Sequence, residues 1–244
     1  MKSFYHDVHL HLDLYPNAVE IINHITDFKS YTIAVTNLPV LFDRALKKYK
    51  DQKYIRFALG LHPELINQYT EQIPVFFERL KDCRYVGEIG LDFKKTDEYS
   101  RKLQVDTFKK IINECNNYGG KILSIHSRSA AKEVIEIIGS NFNGKIILHW
   151  FSGTLTELEK AIDSNYFFSI NGDMVNSKKG QNIIKRIPTN RLLIESDGPF
   201  TKDTHSNYHL SFVDDLIKKL ANIRECDSDE MSILLKGNFK NLLE

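Results

Sequence analysis

Eight times along this chain a short run of apolar, mostly β-branched residues gives way to a longer charged stretch with helical spacing. No other feature narrows the possible folds as much. The apolar runs lie at residues 4–10, 31–35, 55–59, 85–89, 122–125, 145–148, 167–170 and 192–194. Their apolarity is continuous rather than alternating, the pattern of parallel strands covered on both faces. Between them, helical spacing is clearest at 18–28, 41–49, 73–80, 100–118, 129–138, 155–164 and 180–187. Two further helices are expected at 210–223 and 228–243, and Ser177 and Asp227 read as helix starts. Eight strand-then-helix units in 244 residues predict an α/β chain, a (β/α)8 TIM barrel forming one domain over residues 1–244. An open doubly wound sheet is the alternative, but no glycine-rich phosphate loop follows the first strand.

A chain of this length buries enough apolar surface to do without disulfides. Its three cysteines, Cys83, Cys115 and Cys226, are scattered without C-x-x-C spacing, which fits a reducing compartment. No basic-then-apolar leader opens the sequence, and no run approaches the roughly 20 apolar residues of a membrane span. A soluble, cytoplasmic protein with no membrane partner is expected. The formal net charge is +1, so any anionic substrate must be gripped by a local site rather than a chain-wide field.

In a barrel the active site is built from strand C-termini and the loops after them. Strand one ends in Asp7-Val-His9-Leu-His11, strand four in Glu88-Ile-Gly-Leu-Asp92, and strand five in His126-Ser-Arg128. Strand six ends in His149, and strand eight in Glu195-Ser-Asp197. Four histidines and at least two carboxylates are thus expected at one end of five strands, a donor set suited to divalent transition metals. His9 and His11 alternate with period two, which puts both rings on one face of a strand. A lone H-x-H is a weak sign. The conjunction is strong, and it narrows the expectation to a barrel of the metal-dependent hydrolase type.

Six motifs then carry a resemblance. They are D-x-H-x-H-L-D at 7–13, G-x-H-P at 60–63, G-E-x-G-L-D at 87–92, I-H-S-R at 125–128, H-x-F-S-G at 149–153 and E-S-D-G-P at 195–199. In type and order they resemble the TatD-related metal-dependent deoxyribonucleases over nearly the whole chain. The resemblance implies that His9, His11 and Asp197 hold one metal, His126 and His149 a second, and that Glu88 bridges them. It implies two divalent ions per chain (Mg, Mn or Zn), with single-stranded DNA or a 3′ end as substrate for 3′–5′ exonuclease action. Two ions about 3.5–4 Å apart stabilise the attacking and leaving oxygens of a phosphoryl displacement. Glu88 and Asp197 are the catalytic carboxylates, Asp197 accepting a proton from the attacking water or orienting it.

Around these ligands two readings stay open for each residue. His62 either contacts substrate phosphate or packs its loop. Arg128 is either a bidentate phosphate clamp or a rim salt bridge. Asp92 either orients a ligand or caps the loop after strand four. Asp7 and Glu195 alternate with His9 and Asp197 and are expected to support them, with the rim open to Glu195. His6 and His24 read as surface residues. Lys94, Lys95, Lys178 and Lys179 are expected in the loops after strands four and seven, as steering cations for a nucleic-acid strand or as ordinary solvated lysines. Of Trp150, Phe151, Phe93 and Phe200 beside the ligand motifs, one is open to stacking on a base and rim packing is the default for the rest.

The sequence departs from the family where 201–209 replaces a longer loop carrying Arg-Asn-Glu-Pro, and on the helix after strand four, which keeps Gln104 and Phe108 but has Ile111 for another usual Gln. Those changes fit a specialised branch such as the TatD-like component of Qat anti-phage defence systems, with protein partners from a defence operon. A monomer is the default. A small ester, lactone or amide hydrolase is the rival enzyme, though such enzymes often bridge metals with a carbamylated lysine where this chain has Glu88. A noncatalytic barrel subunit is the third reading.

Overall fold

The structure, a computed structural model, describes residues 4–244. In chain order its elements are β1 (His6–Leu10), α1 (Ala18–Phe28), β2 (Tyr31–Val35), α2 (Pro39–Lys48), β3 (Ile55–Ala58), α3 (Gln72–Leu80), β4 (Tyr85–Gly90), α4 (Glu98–Tyr118), β5 (Lys121–His126), α5 (Ala131–Ile138), β6 (Gly144–His149), α6 (Leu155–Asp163), β7 (Phe167–Ile170), α7 (Gly172–Val175), α8 (Lys178–Arg186), β8 (Leu192–Ile194), α9 (Ser211–Arg224) and α10 (Ser228–Leu243). The expected eight strands are all present. The expected helices are present too, joined by the four-residue α7, which is too short to show a helical period. No helix among the described residues is long and apolar enough to cross a membrane.

The chain falls into two compact units. The first holds the chain up to Ala34 with Asp51–Arg56 and Phe168–Glu244; the second holds Val35–Lys50 and Phe57–Phe167. In the first unit β1 pairs in parallel with β2 and β7 with β8. Beyond the strand ends, β1 and β8 are joined by the Asp197 N–H donating to the His9 carbonyl (2.9 Å) and the His11 N–H donating to Gly198 (3.0 Å). In the second unit β4, β5 and β6 pair in parallel. Every residue of β1, β4, β7 and β8 is buried, the polar His6, Asp7, His9, Glu88 and Ser169 included.

Two register slips matter for function. Val86 faces Leu123 and Ile89 faces Ile125, so Gly87 and Glu88 stand against Ser124 alone. Likewise Asp7 faces Thr32 and Leu10 faces Ala34, so Val8 and His9 stand against Ile33. Such bulges re-aim a side chain. Here they fall on Glu88 and His9.

The helices bury the stripe their spacing predicts. α1 buries Ala18, Ile21, Ile22 and Ile25, and α5 buries Ala131, Val134, Ile135 and Ile138. Asp227 caps α10 by accepting the N–H groups of Asp229 and Glu230, and Thr154 with Glu157 forms a capping box on α6. Three placements differ from expectation. His6 is buried at 1 % exposure because its ring lies 4.8 Å from Phe239 of α10. Burial holds its pKa down to about 3, so it is neutral. His24 is half-buried, accepting the Leu210 N–H at 3.1 Å. Lys178 and Lys179 lie in the first turn of α8, which starts two residues before the expected boundary because Ser177 accepts the Gly180 N–H.

Candidate metal centre

In the first unit, β1 delivers His9 and His11 and the turn after β8 delivers Asp197. All three are buried, with His9 at 0 % exposure. The two Nε2 atoms face each other at 3.2 Å, and Asp197 Oδ1 lies 3.6 Å from each. Ligands about 2.1 Å from one ion at a tetrahedral angle stand about 3.4 Å from one another. All three separations fall near that value. The donor chemistry fits a divalent cation, and the spacing does too.

The frame around this triad is rigid. Asp197 adopts φ 43°, a left-handed conformation that costs a non-glycine residue strain and that functional sites tend to store. It is held there by its own N–H on His9 and by the Phe200 N–H on its carbonyl (2.8 Å). Asp7, fully buried, accepts the His9 N–H (3.1 Å), the Ser196 N–H (3.0 Å) and the Tyr208 hydroxyl (3.0 Å). Burial pushes its carboxyl up to about 7 despite those bonds. Asp7 therefore ties β1, the β8 turn and the 201–209 segment together. Glu195 is also fully buried, taking bonds from Ser169 Oγ and Asn171 Nδ2. Of the two positions open to it, it holds the inner one and not the rim.

In the second unit Glu88 collects imidazoles. Its Oε1 lies 2.5 Å from His126 Nδ1, 2.8 Å from His149 Nε2 and 3.5 Å from His62 Nε2, while the His126 and His149 nitrogens are 3.3 Å apart. The 3.3 Å separation suits ligands sharing an ion, whereas 2.8 Å is an ordinary hydrogen-bond length and 2.5 Å a short one. His126 Nε2–H donates to Asp92 Oδ2 at 2.7 Å, which turns Nδ1 toward Glu88, the usual way a carboxylate sets the tautomer of a ligating histidine. Burial lowers the His126 pKa, but Glu88 and Asp92 more than offset that and raise it. Burial alone would raise Asp92 as well. Hydrogen bonds from His126, the Lys94 N–H and Arg128 bring it down to about 2.

Glycine makes this packing possible. A Cβ on Gly60 would stand 1.4 Å from the Thr36 carbonyl, and Gly90 at φ +139° brings the chain against the His126 carbonyl, where a Cβ would lie 2.1 Å away.

His62 stands in this cluster although its sequence position marked it for substrate. Its Nδ1 accepts the Glu64 N–H at 3.2 Å, so in the neutral ring the proton sits on Nε2, and that atom donates rather than ligates. Arg128 donates from Nε to Asp92 (2.6 Å) and from Nη2 to Glu64 (2.7 Å), forming the salt bridge that was one of its two readings. Asp92 does both things open to it, orienting His126 and accepting the Lys94 N–H at 3.0 Å. Gln104, kept from the family pattern on the helix after strand four, buries its amide on α4 and accepts the Asp92 N–H at 2.9 Å. Sequence reasoning gave it no role, and its bond to the Asp92 backbone supplies one.

Comparison with known proteins extends the local geometry. YabD of Bacillus subtilis, an uncharacterised metal-dependent hydrolase, is 28% identical over 210 residues, 82% of this chain and 81% of that protein. A TATDN1 homolog of Vairimorpha ceranae is 30% identical over 166 residues, covering 68% of this chain but only 61% of that protein's length. The crystal structure of YjjV, a TatD homolog from Escherichia coli, matches with TM-score 0.79 at 20% identity, over 99% of this chain and 98% of that one. At that identity the likeness concerns fold alone, and with the parallel strand-then-helix order it bears out the (β/α)8 class. A model of the TatD-related DNase family matches residues 6–244, so the chain belongs to that family.

Proposed function

We propose that the protein is a divalent-metal-dependent nuclease that hydrolyses phosphodiester bonds, working 3′–5′ from the end of single-stranded DNA. The reading follows the family and the residue assignments its motifs imply. His9, His11 and Asp197 would hold one ion, and Glu88, His126 and His149 a second. Bound Mg, Mn or Zn would lower the pKa of a water and neutralise charge growing on the phosphoryl oxygens.

The chain's own residues do the rest. Asp197 accepts the proton of the attacking water, and its turn fixes the carboxylate in place. His62 Nε2–H, held by the Glu64 N–H on its other nitrogen, donates to a phosphate oxygen. The observation that most supports the reading is the orientation of His126, whose bond to buried Asp92 leaves Nδ1 turned toward Glu88. With the ring proton held on Nε2 by Asp92, the neutral imidazole keeps its Nδ1 lone pair for an ion.

The test uses purified protein, end-labelled single-stranded DNA and Mg or Mn, beside His126→Ala and Asp197→Ala. Ladder-like shortening by the wild type, absent in both variants, is the expected result. Metal binding without cleavage of any oligonucleotide moves the assignment to a small-ester or amide hydrolase. For the divergent 201–209 segment we propose a setting in anti-phage defence beside protein partners. Loss of phage protection in the Asp197→Ala strain is its expected sign, and unchanged plaque counts contradict it.

A further inference from the structure

Phe200 follows the Asp197 turn and leaves more than half its side chain in solvent, at 55 % exposure. Exposing a large aromatic ring forgoes stabilisation that burial would provide. Among the described residues only Phe28 and Phe200 are exposed phenylalanines, and Phe28 packs against the rings of Tyr5 (5.3 Å) and His24 (4.6 Å). Phe200 stands at right angles to His11, ring centroids 5.1 Å apart.

The backbone around that ring is pinned on both sides. The Phe200 N–H donates to the Asp197 carbonyl at 2.8 Å. Pro199 before it offers its carbonyl to His205 Nδ1 at 3.0 Å. Thr201 after it donates its hydroxyl to Ser196 at 2.7 Å and shares a contact with Thr204 Oγ1, whose carbonyl takes the Tyr15 hydroxyl at 2.6 Å. An exposed ring on a mobile tip would be incidental. This one is preorganised beside a candidate metal ligand, the arrangement that loses least entropy when a flat ligand settles on it.

We infer that Phe200 is a stacking platform for a nucleobase, so that the hydrolase selects phosphodiesters carrying a base over bare phosphate esters. The inference rests on the nuclease reading and names the part of the substrate this residue takes. A phosphodiester held at His9, His11 and Asp197 carries its sugar and base outward, and Phe200 offers an exposed ring 5.1 Å from that of His11. Stacking of this kind is tolerant of base identity, since every base offers a π-face. It predicts little sequence preference.

The experiment compares wild type, Phe200→Ala and Phe200→Trp on single-stranded oligonucleotides with natural 3′ ends. Matched oligonucleotides carry a tetrahydrofuran abasic residue at the last or the penultimate position. The readout is the ratio of kcat/KM on the natural end to that on the abasic end, with bound metal measured in each variant. Wild type and Phe200→Trp should prefer the base by about 5- to 150-fold at one of the two positions, and Phe200→Ala should bring the ratio near one. If Phe200→Ala slows both substrates alike, or loses metal with the ratio intact, the ring only buttresses His11 and the inference is overturned. Wild type that cleaves no oligonucleotide with any divalent ion is a different outcome, since it removes the nuclease reading itself.

Discussion

Replacing Asp92 by Asn tests whether the site is built for metal from the supporting residues inward. Asp92 is 1 % exposed, and its carboxylate accepts from His126 Nε2 at 2.7 Å, Arg128 Nε at 2.6 Å and the Lys94 N–H at 3.0 Å. With its pKa held to about 2 it stays ionised at any useful assay pH. Asn keeps the shape and one acceptor oxygen but removes the charge. A hydrogen bond to a charged partner contributes about 1.5–3 kcal/mol against about 1 for a neutral one. The loss at His126 should therefore be about 1–2 kcal/mol, or roughly tenfold in metal affinity, at the low end of what such supporting residues control. Calorimetric titration of chelator-stripped protein with Mn or Zn measures it directly, with His126→Ala as the reference for complete loss. If Asp92→Asn binds metal like wild type while only its melting temperature falls, Asp92 is a loop cap and the orientation argument fails.

Other predictions concern stability and pH. Lys121, 3 % exposed, donates from Nζ to the carbonyls of Leu80 and Cys83, both at 2.7 Å, so Lys121→Met should cost about 2–4 kcal/mol in a urea melt. A loss below about 0.5 kcal/mol would contradict that. Gly60→Ala places a methyl 1.4 Å from the Thr36 carbonyl and should cost about 3 kcal/mol or more; a native-like melt would show that the backbone yields easily. His24 has its pKa lowered by burial and by His209, against a smaller opposing effect of Asp27. Because the folded pKa lies below the unfolded value of 6.5, the contribution is present above pH 6.5 and is lost as pH falls toward the folded pKa. His24→Gln, which keeps an acceptor for the Leu210 N–H, should therefore narrow its stability gap to wild type between pH 7 and 5, and an unchanged gap would contradict this.

The strands are legible because parallel strands buried on both faces read as apolar runs, continuous at 192–194 and broken only by Gly87 and Glu88 at 85–89. The grouping of His9 and His11 with Asp197 is legible because strand ends collect function and period two puts the two histidines on one face. The bulges at His9 and Glu88 left no trace, since an extra residue in one strand shows only against its partner. His6 was misplaced because its cover, Phe239, is 233 residues away in the chain. Arg128 could be resolved only when Glu64 and Asp92 were seen on its guanidinium, and His62 only when the Glu64 N–H fixed its tautomer. Strand positions follow from local sequence; tautomers and ion pairs depend on contacts that sequence spacing does not encode.

The most direct measurement is the metal content of chelator-stripped protein dialysed against Mn and read by plasma mass spectrometry. Wild type should hold two ions per chain, the His9→Ala/His11→Ala double variant one, and the same double variant with His126→Ala and His149→Ala none. Wild type that holds no ion after dialysis would contradict the account.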